Sequence, residues 1–461
     1  MEKKRTAVSS PGKVLLAGGY LILEPENEGF VLTLSARMVC IVEDAEKTGE
    51  EPQIRVRCPQ FKQPDYFFRV IFDKDNTFLK IQEVDNQTRN PYIHCALMYS
   101  ILYLNPKTIT DLCITILADN DYYSQTSPRS MLCKYSRFDV PIENVHKTGI
   151  GSSASLMTSM ITALVTHLSE GKFDIQLTQN KWIIHNLSQI AHCFVQNKVG
   201  SGFDIAATCF GSCLYRRFDP AIIDSIGDYT SVHFKKQLSK VVESLWDISI
   251  EKLTFPLGLQ VLLIDTNQGT STPNMARDVL TWKNSNEDAN IIWEELKKVN
   301  NMFYKTLNKI TDASQEFESD YYEVLRIAGQ TPWDENNVQF EKSRTKKFIY
   351  DLFNDLHVQL KLIRKNLKIM GIKANVPIEP PSQTSLLDKC TQIPGVLGVG
   401  IPGAGGYDAI FCIIIEQSNA KKDISQIKLE NDDTNLSILL SNEEHSGLEM
   451  KDPREFESFL D

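Results

Sequence analysis

The sequence predicts a protein of two domains in which helices and strands are mixed. A chain of 461 residues is long enough to form two separate hydrophobic cores. Apolar, β-branched runs at 30–43, 111–118 and 259–265 have the composition of buried strands. Residues 152–169 and 343–370 instead carry apolar side chains at the helical period, so we expect buried helices there.

The other expected elements follow in chain order, and each rests on a short apolar run or on a helical period bounded by glycine or proline. They are strands at 5–9 and 12–18, helices at 91–104 and 177–197, a strand at 211–217, helices from Pro273 and near 287–308 and 317–329, and a strand–loop–strand unit at 395–415.

The domain boundary is expected near residue 225, inside a mixed segment. The first domain then comprises residues 1–225 and the second comprises residues 226–461. The second domain ends in an acidic segment, because residues 416–461 contain twelve acidic residues and five basic ones.

Composition and charge exclude several classes of protein. Apolar residues make up 42% and charged residues 23% of the chain, as in ordinary globular proteins. No apolar stretch reaches the roughly 18 residues of a membrane span, and a net charge of −10 argues against nucleic acid as a partner. Ten cysteines without C-x-x-C pairs, and no recognisable targeting signal, predict reduced thiols and a cytoplasmic location.

A glycine loop opens the helix expected at 152–169. A helix N-terminus offers unpaired N–H groups and the positive end of the helix dipole, so it suits an anion. Glycines let a phosphate approach the backbone, and serine hydroxyls can bind phosphate oxygens or Mg²⁺. The candidate phosphate-binding residues are Lys147, Gly149, Ile150, Gly151, Ser152, Ser153 and Ala154.

The same loop has a simpler interpretation, in which it only caps a core helix. It is not a Walker A loop, because no Gly-Lys-Ser/Thr ends it. It is not a nucleophile elbow either, because the second glycine of G-x-S-x-G is missing after Ser153.

Three further stretches carry candidate groups, and each has a structural alternative. Lys13 borders a strongly apolar run, where a lysine can also reach water from the strand edge. Asp204 follows the turn Gly200–Gly202, where an aspartate can also cap the next helix. Residues 402–406, Pro-Gly-Ala-Gly-Gly, can also serve only as a tight connection between strands.

Taken together these stretches resemble the motifs of the GHMP kinase superfamily. P-G-K-V-L-L-A-G-G-Y-L, K-T-G-I-G-S-S-A and G-I-P-G-A-G-G-Y-D-A match its three motifs in order and rough spacing. Within it, K-V-G-S-G-F-D and I-E-P-P-S-Q-T-S-L-L-D are similar to fungal-type phosphomevalonate kinases. The resemblance covers residues from about 6 to 415.

The resemblance implies an α+β fold. Its first domain would be like ribosomal protein S5 domain 2, its second would be ferredoxin-like, and the site would lie in the cleft between them. It also implies ATP-dependent phosphorylation of (R)-5-phosphomevalonate to (R)-5-diphosphomevalonate, with ATP and Mg²⁺. The expected partners are these small molecules, with no nucleic acid and no membrane, and the protein is expected to be a monomer or weak homodimer.

The resemblance also implies roles for single residues. Asp204 matches the catalytic aspartate, and Lys13 matches the lysine of the first motif. We expect Lys13 to neutralise charge between the acceptor and the γ-phosphate. We expect Asp204 to orient Lys13 and the acceptor, and to take a proton when the substrate is monoprotonated. Substrate contacts are expected from Lys13, Tyr20, Ser201, Ser271 and Gly405, nucleotide contacts from Lys147 and residues 149–154, and Mg²⁺ contacts from Ser152 or Ser153.

Two departures from the related mevalonate kinases stand out. Those enzymes carry Glu-His where this chain has Gly19-Tyr20, and a carboxylate fewer there reduces repulsion of a phosphorylated substrate. They also carry a metal-binding glutamate about 11 residues before the catalytic aspartate. Here that neighbourhood is Ala191-His192-Cys193, and we expect His192 to pack in the helix or contact phosphate rather than bind metal.

A second anion site is expected after the strand at 259–265. Pro273 suits the first helical position, which makes Thr272 the expected N-cap, with hydroxyls of Thr270 and Ser271 beside it. An ordinary Thr-Pro helix start is the alternative. We expect this helix end to hold the 5-phosphate of the substrate, opposite the glycine loop.

Other functions remain open at this point. A mevalonate kinase of the same superfamily would differ only in its acceptor. A relative that binds ATP without turnover is a different class, and retention of both Lys13 and Asp204 argues against it. A structural phosphate-binding protein would not need the four motifs in order.

Overall fold

A computed structural model describes most of the chain, and the structural statements below concern the residues that it describes. They are 4–62, 65–72, 79–84, 89–124, 134–229, 231, 233–266, 272–336, 338–340, 342–427 and 436–460.

The strands are named β1 to β14 in chain order. They are β1 Arg5–Ala17, β2 Glu28–Asp44, β3 Gln53–Arg57, β4 Asp65–Phe72, β5 Leu79–Glu83, β6 Leu112–Ala118, β7 Cys213–Arg216, β8 Ser249–Lys252, β9 Leu259–Asp265, β10 Val396–Gly400, β11 Ala409–Ile415, β12 Ser437–Ile438, β13 Glu443–Glu444 and β14 Glu449–Lys451.

The α-helices are named in the same way. They are α1 Pro91–Leu104, α2 Ser152–Leu168, α3 Thr178–Gln196, α4 Phe203–Phe210, α5 Ala221–Asp224, α6 Phe234–Val242, α7 Thr272–Ser285, α8 Ala289–Glu316, α9 Glu318–Ala328, α10 Arg344–Ala374, α11 Pro381–Thr391 and α12 Ala420–Ser425.

The first sheet supports helix α2, which follows the glycine loop. Its strands run in the order β14-β1-β2-β6-β3-β4-β5, with β7 and β13 also paired to β2 and β8 paired to β7. The pairs are antiparallel except for β3 with β6, which are parallel. Helix α2 lies on β1 and β2 and packs against α1, α3 and α4. Met157, Met160 and Leu164 on α2 are fully buried, as the apolar period predicted.

Strand β1 is continuous, so the prediction of separate strands at 5–9 and 12–18 was wrong. Proline has no N–H to give to the ladder, and the register with β2 shifts between Pro11 and Gly12 instead of ending there. Just after the shift, the backbone N–H of Lys13 donates to the carbonyl of Ile150 at 2.8 Å. The irregularity therefore connects β1 to the glycine loop.

The second sheet has four antiparallel strands in the order β10-β11-β9-β12. Helices α8 and α10 pack against each other, and α10 and α11 lie against β10. The sequence predicted β9, β11 and the long helix α10. It missed α6, and it missed α11, whose segment begins with two prolines. It raised α4 only as the helix that Asp204 could cap.

The sheet pairing divides the chain differently from the expected boundary at residue 225. Strand β8 pairs with β7, while β13 and β14 pair with β2 and β1. The buried guanidinium of Arg37 binds Glu444 at 3.2 Å and the carbonyl of Gly447 at 2.5 Å. We therefore propose that the first domain extends to about residue 256 and that residues 443–460 return to it.

Candidate active site

A cleft of about 800 Å³ lies between the two sheets. Its walls come from β1, the glycine loop, α2, α3 and α4 on one side and from residues 401–409 on the other. Ala276 on α7 also reaches it. One cavity is thus lined by the Gly-Ser-Gly turn and by the three motifs that resemble those of GHMP kinases, although these stretches are far apart in the sequence.

The glycine loop presents a helix N-terminus to this cleft. Helix α2 begins at Ser152, and its N-cap is Gly151, which has a φ of +91°. A Cβ at Gly151 would lie 2.6 Å from Cε of Lys13. The positive φ favours glycine here, and any side chain at this position would also have to displace the end of Lys13.

Lys13 is the central cation of the first side of the cleft. Its ammonium lies 5.3 Å from the ring centre of Phe203. Burial lowers the pKa of Lys13 below the ordinary lysine value, while the negative charges of Asp204 and Asp408 act in the opposite direction. Two carboxylates thus favour its charged form in a partly desolvated position.

Asp204 lies in the first turn of α4 and not at its N-cap, which is Gly202 with a φ of +88°. One carboxylate oxygen, Oδ1, accepts the N–H of Ile205 at 3.0 Å. The other, Oδ2, lies 3.7 Å from Nδ1 of His192. Both oxygens are therefore oriented from within the first domain.

His192 projects from α3 towards the cleft. Its Nε2 lies 3.2 Å from the hydroxyl of Ser153 and 3.0 Å from the amide nitrogen of Gln196. Burial lowers the pKa of this imidazole, and only the charge of Asp204 opposes that shift. The sequence left packing and phosphate contact open for His192, and the contacts with Ser153 and Asp204 were not foreseen.

The other candidate side chains occupy less direct positions. Tyr20 lines the cleft, but its hydroxyl already donates to the carbonyl of Ala404 at 2.5 Å. Ser201 also lines the cleft, and its backbone carbonyl accepts a hydrogen bond from the Tyr215 hydroxyl at 2.7 Å. A Cβ at Gly405 would lie 2.4 Å from the carbonyl oxygen of Ile378.

The remaining residues of the nucleotide prediction follow the loop. Lys147 is exposed at the mouth of the cleft, and Ser152 and Ser153 are half-buried in it. Ile150 and Ala154 are buried and so fix the loop rather than face the cavity.

One acidic residue that the sequence analysis passed over also lies here. A Cβ at Gly149 would lie 3.4 Å from the Cβ of Asp408, so this carboxylate approaches the glycine loop from the second domain. Its backbone carbonyl accepts the N–H of Thr266 at 3.2 Å. Asp408 is the aspartate at the end of the third motif, at Y-D-A, and that position was its only signal.

Ser271 lies outside the described residues, as does Thr270. Helix α7 begins at Thr272, one residue earlier than expected, and Met275 on it is buried. Because Ala276 lines the cleft, the start of α7 does approach the site. The second anion site stays a prediction.

The described residues contain no cluster of three or more His, Cys, Asp and Glu side chains that could hold a metal ion by themselves.

Comparisons with known proteins agree with these motifs. Residues 130–212 match the family described as GHMP kinases N terminal domain, and residues 355–432 match GHMP kinases C terminal. A phosphomevalonate kinase of Candida albicans is 33% identical over 93% of this chain and 93% of its own length. The chain belongs to the phosphomevalonate kinase family. A second family member, from Aspergillus fumigatus, is 36% identical over 89% of this chain and 87% of its own.

The fold comparison extends to a solved structure. The phosphomevalonate kinase of Streptococcus pneumoniae, described in complex with phosphomevalonate and AMPPNP, covers 90% of this chain and 94% of its own, with a TM-score of 0.56 and 15% identity. The predicted α+β GHMP kinase fold and kinase activity are confirmed. Among the described residues, no helix combines the length and apolar character needed to cross a bilayer.

Proposed function

We propose that this phosphomevalonate kinase family member transfers the γ-phosphoryl group of ATP to (R)-5-phosphomevalonate, giving (R)-5-diphosphomevalonate in the mevalonate pathway of isoprenoid and sterol biosynthesis. The observation that carries the proposal is the position of Lys13. Lys13 lies against the glycine loop at Gly151, in a cleft that both domains line. The negative charge of Asp204 favours the protonated form of this lysine. The names of its relatives and the ligands of the bacterial structure support the choice of substrates.

The nucleotide phosphates are assigned to the N-terminus of α2. Residues 149–154 form the turn into this helix, and the unpaired N–H groups of its first turn suit the phosphate oxygens. Lys147 at the cleft mouth adds a positive charge on the approach path.

The acceptor chemistry needs charge control more than proton removal. The acceptor is a phosphate oxygen, which is already anionic at neutral pH, so the barrier comes mainly from positioning two anions. Lys13 neutralises charge between the acceptor and the γ-phosphate. Asp204 orients Lys13 and the acceptor, and takes a proton when the substrate is monoprotonated.

The residues present fit a Mg²⁺ ion that is held mainly by nucleotide oxygens. Mg²⁺ binds few protein ligands and keeps several waters, and the cleft offers the hydroxyls of Ser152 and Ser153. When bound, the ion neutralises charge on the β- and γ-phosphates. The two serines would hold it at the start of α2.

The acceptor end of the cleft is assigned to the second domain. Ser271 is assigned to the 5-phosphate, and Ser201 and Gly405 are assigned to the rest of the substrate. Tyr20 would act through its bond to Ala404, which holds residues 402–406 against the first domain.

The test is ADP release coupled to a detection enzyme, measured separately with phosphomevalonate and mevalonate as acceptors. We expect turnover with phosphomevalonate and at least 100-fold lower kcat/KM with mevalonate, roughly the loss expected when a site built for a charged group is left without it. Equal or greater use of mevalonate would assign the protein to the other substrate. ATP binding without turnover of either acceptor would refute the proposal.

A further inference from the structure

His192 lies between the nucleotide side and the catalytic side of the cleft. Its Nε2 faces Ser153 at the start of α2, and its Nδ1 faces Asp204 in the first turn of α4. His192 is only 3% exposed, so protein groups rather than water determine the hydrogen bonding of its ring. Among the described histidines of α3, His192 is the one that lines the cleft.

The neighbours of His192 define its proton position. The amide of Gln196 donates to Nε2 at 3.0 Å, and Ser153 shares the same lone pair at 3.2 Å. The carboxylate of Asp204 faces Nδ1, where a lone pair would be repelled and an N–H is favoured. Both sides of the ring therefore select the tautomer with the proton on Nδ1.

This tautomer has a consequence for Ser153. A hydroxyl that donates its hydrogen to an imidazole nitrogen keeps its oxygen lone pairs for a cation. The same imidazole presents an N–H to Asp204, whose other oxygen is held by the backbone N–H of Ile205. One side chain thus orients a group assigned to the metal and a group assigned to the acceptor.

We propose that His192 is a positioning residue that couples the Ser153 hydroxyl to the Asp204 carboxylate. It sets the hydroxyl for the Mg²⁺ of the nucleotide and holds the carboxylate at a fixed distance from the same loop. The inference rests on the proposed function for the identity of the ligands, but the coupling itself can be measured without turnover.

The experiment measures binding of AMPPNP to the full-length protein by calorimetry, with and without Mg²⁺. His192→Asn ends near the position of Nδ1 and loses the acceptor for Ser153, whereas His192→Gln can place an amide oxygen near the position of Nε2. Ser153→Ala removes the hydroxyl itself. The matched control is His185→Asn, because His185 is also buried on α3 but does not line the cleft.

We expect His192→Asn and Ser153→Ala each to reduce the Mg²⁺-dependent gain in AMPPNP affinity by about 5-fold to 10-fold, as for one lost hydrogen bond between neutral groups. The double variant should lose no more than either single variant, because both remove the same link. His192→Gln should stay within about threefold of wild type, since it restores the acceptor. His185→Asn should leave the Mg²⁺-dependent gain unchanged, whatever its effect on the melting temperature.

Several results would overturn the inference. Additive losses in the double variant would show that Ser153 and His192 act separately. If His192→Asn and His185→Asn changed the Mg²⁺-dependent gain in AMPPNP affinity equally, loss of packing within α3 would explain both effects. Loss of AMPPNP affinity that is the same with and without Mg²⁺ would indicate a direct phosphate contact. If the wild type does not phosphorylate phosphomevalonate but the coupling is found, the proposed function fails and this inference stands.

Discussion

The two walls of the cleft are built in different ways. The first wall comprises the cleft residues of β1, α2, α3 and α4. His192 joins Ser153 and Asp204 in it, and the charge of Asp204 acts on Lys13. The second wall comprises residues 401–409 and Ala276. It meets the first wall largely through backbone atoms, since Gly403 N donates to Leu15 O at 3.1 Å and Tyr20 donates to a carbonyl.

The difference indicates that the reacting side chains are held within one domain, whereas backbone contacts set the position of the second domain. Side-chain geometry that must be held to fractions of an ångström is best kept within one packed domain. Backbone contacts across a cleft tolerate changes of side chain and can set the relative position of two domains. We therefore expect loss of Lys13 or Asp204 to act mainly on kcat, loss of Ser153 or His192 to act on nucleotide affinity in the presence of Mg²⁺, and substitutions on the substrate side to act on KM for phosphomevalonate.

The largest expected effect is in the first wall. Lys13→Met and Asp204→Asn should each lower kcat by about 100-fold or more, because each removes a charge from a preorganised site. Steady-state kinetics with phosphomevalonate measure this, and circular dichroism checks the fold. Near-normal turnover in either variant would remove that residue from the mechanism.

A second effect separates two positions of the same loop. Gly151→Val should lower kcat by about 10-fold to 100-fold, since its side chain meets Lys13 and its backbone is strained at positive φ. Added Mg²⁺ should not restore activity. Ser153→Ala should be milder and partly restored by Mg²⁺, and equal rescue of both variants would contradict our interpretation of the loop.

The proposed 5-phosphate site should respond through affinity, and Ser271, which lies outside the described residues, is its proposed ligand. Ser271→Ala should raise KM for phosphomevalonate by about 10-fold to 100-fold, as for one lost hydrogen bond to a charged phosphate, with kcat and KM for ATP close to wild type. Initial rates at varied concentrations of each substrate provide the comparison. If KM for ATP rises instead, the second anion site is elsewhere.

The smallest expected effect concerns stability at alkaline pH. The pKa of Lys13 is lowered in the folded protein, so between that pKa and the ordinary lysine value the unfolded chain binds more protons. Stability from this residue therefore rises with pH in that window. Melting temperatures at about pH 7.5 and near the ordinary lysine pKa of 10.5 should show wild type gaining relative to Lys13→Met. A constant or shrinking difference would mean that Lys13 is not desolvated.

Local patterns predicted much of the first wall. The apolar period of α2, its glycine start, and the residues Lys13 and Asp204 are all visible over a few positions of sequence. The reason for Gly151 was only half predicted, because its contact with Lys13 joins residues far apart in the chain. The same limit applies to His192, whose partners lie on two other helices. Asp408 escaped notice because nothing local shows that it faces Gly149.

The return of residues 443–460 to the first sheet has a consequence during synthesis. Ala7 on β1 pairs with Lys451 on β14, so the first strand to leave the ribosome obtains this neighbour only when almost all of the chain has followed. The guanidinium of Arg37, which binds Glu444, Ser446 and Gly447 in the finished protein, has to remain hydrated or find temporary partners until then. The first domain is begun early in translation, yet its sheet edge is completed by residues made about 200 positions after its last helix, α6.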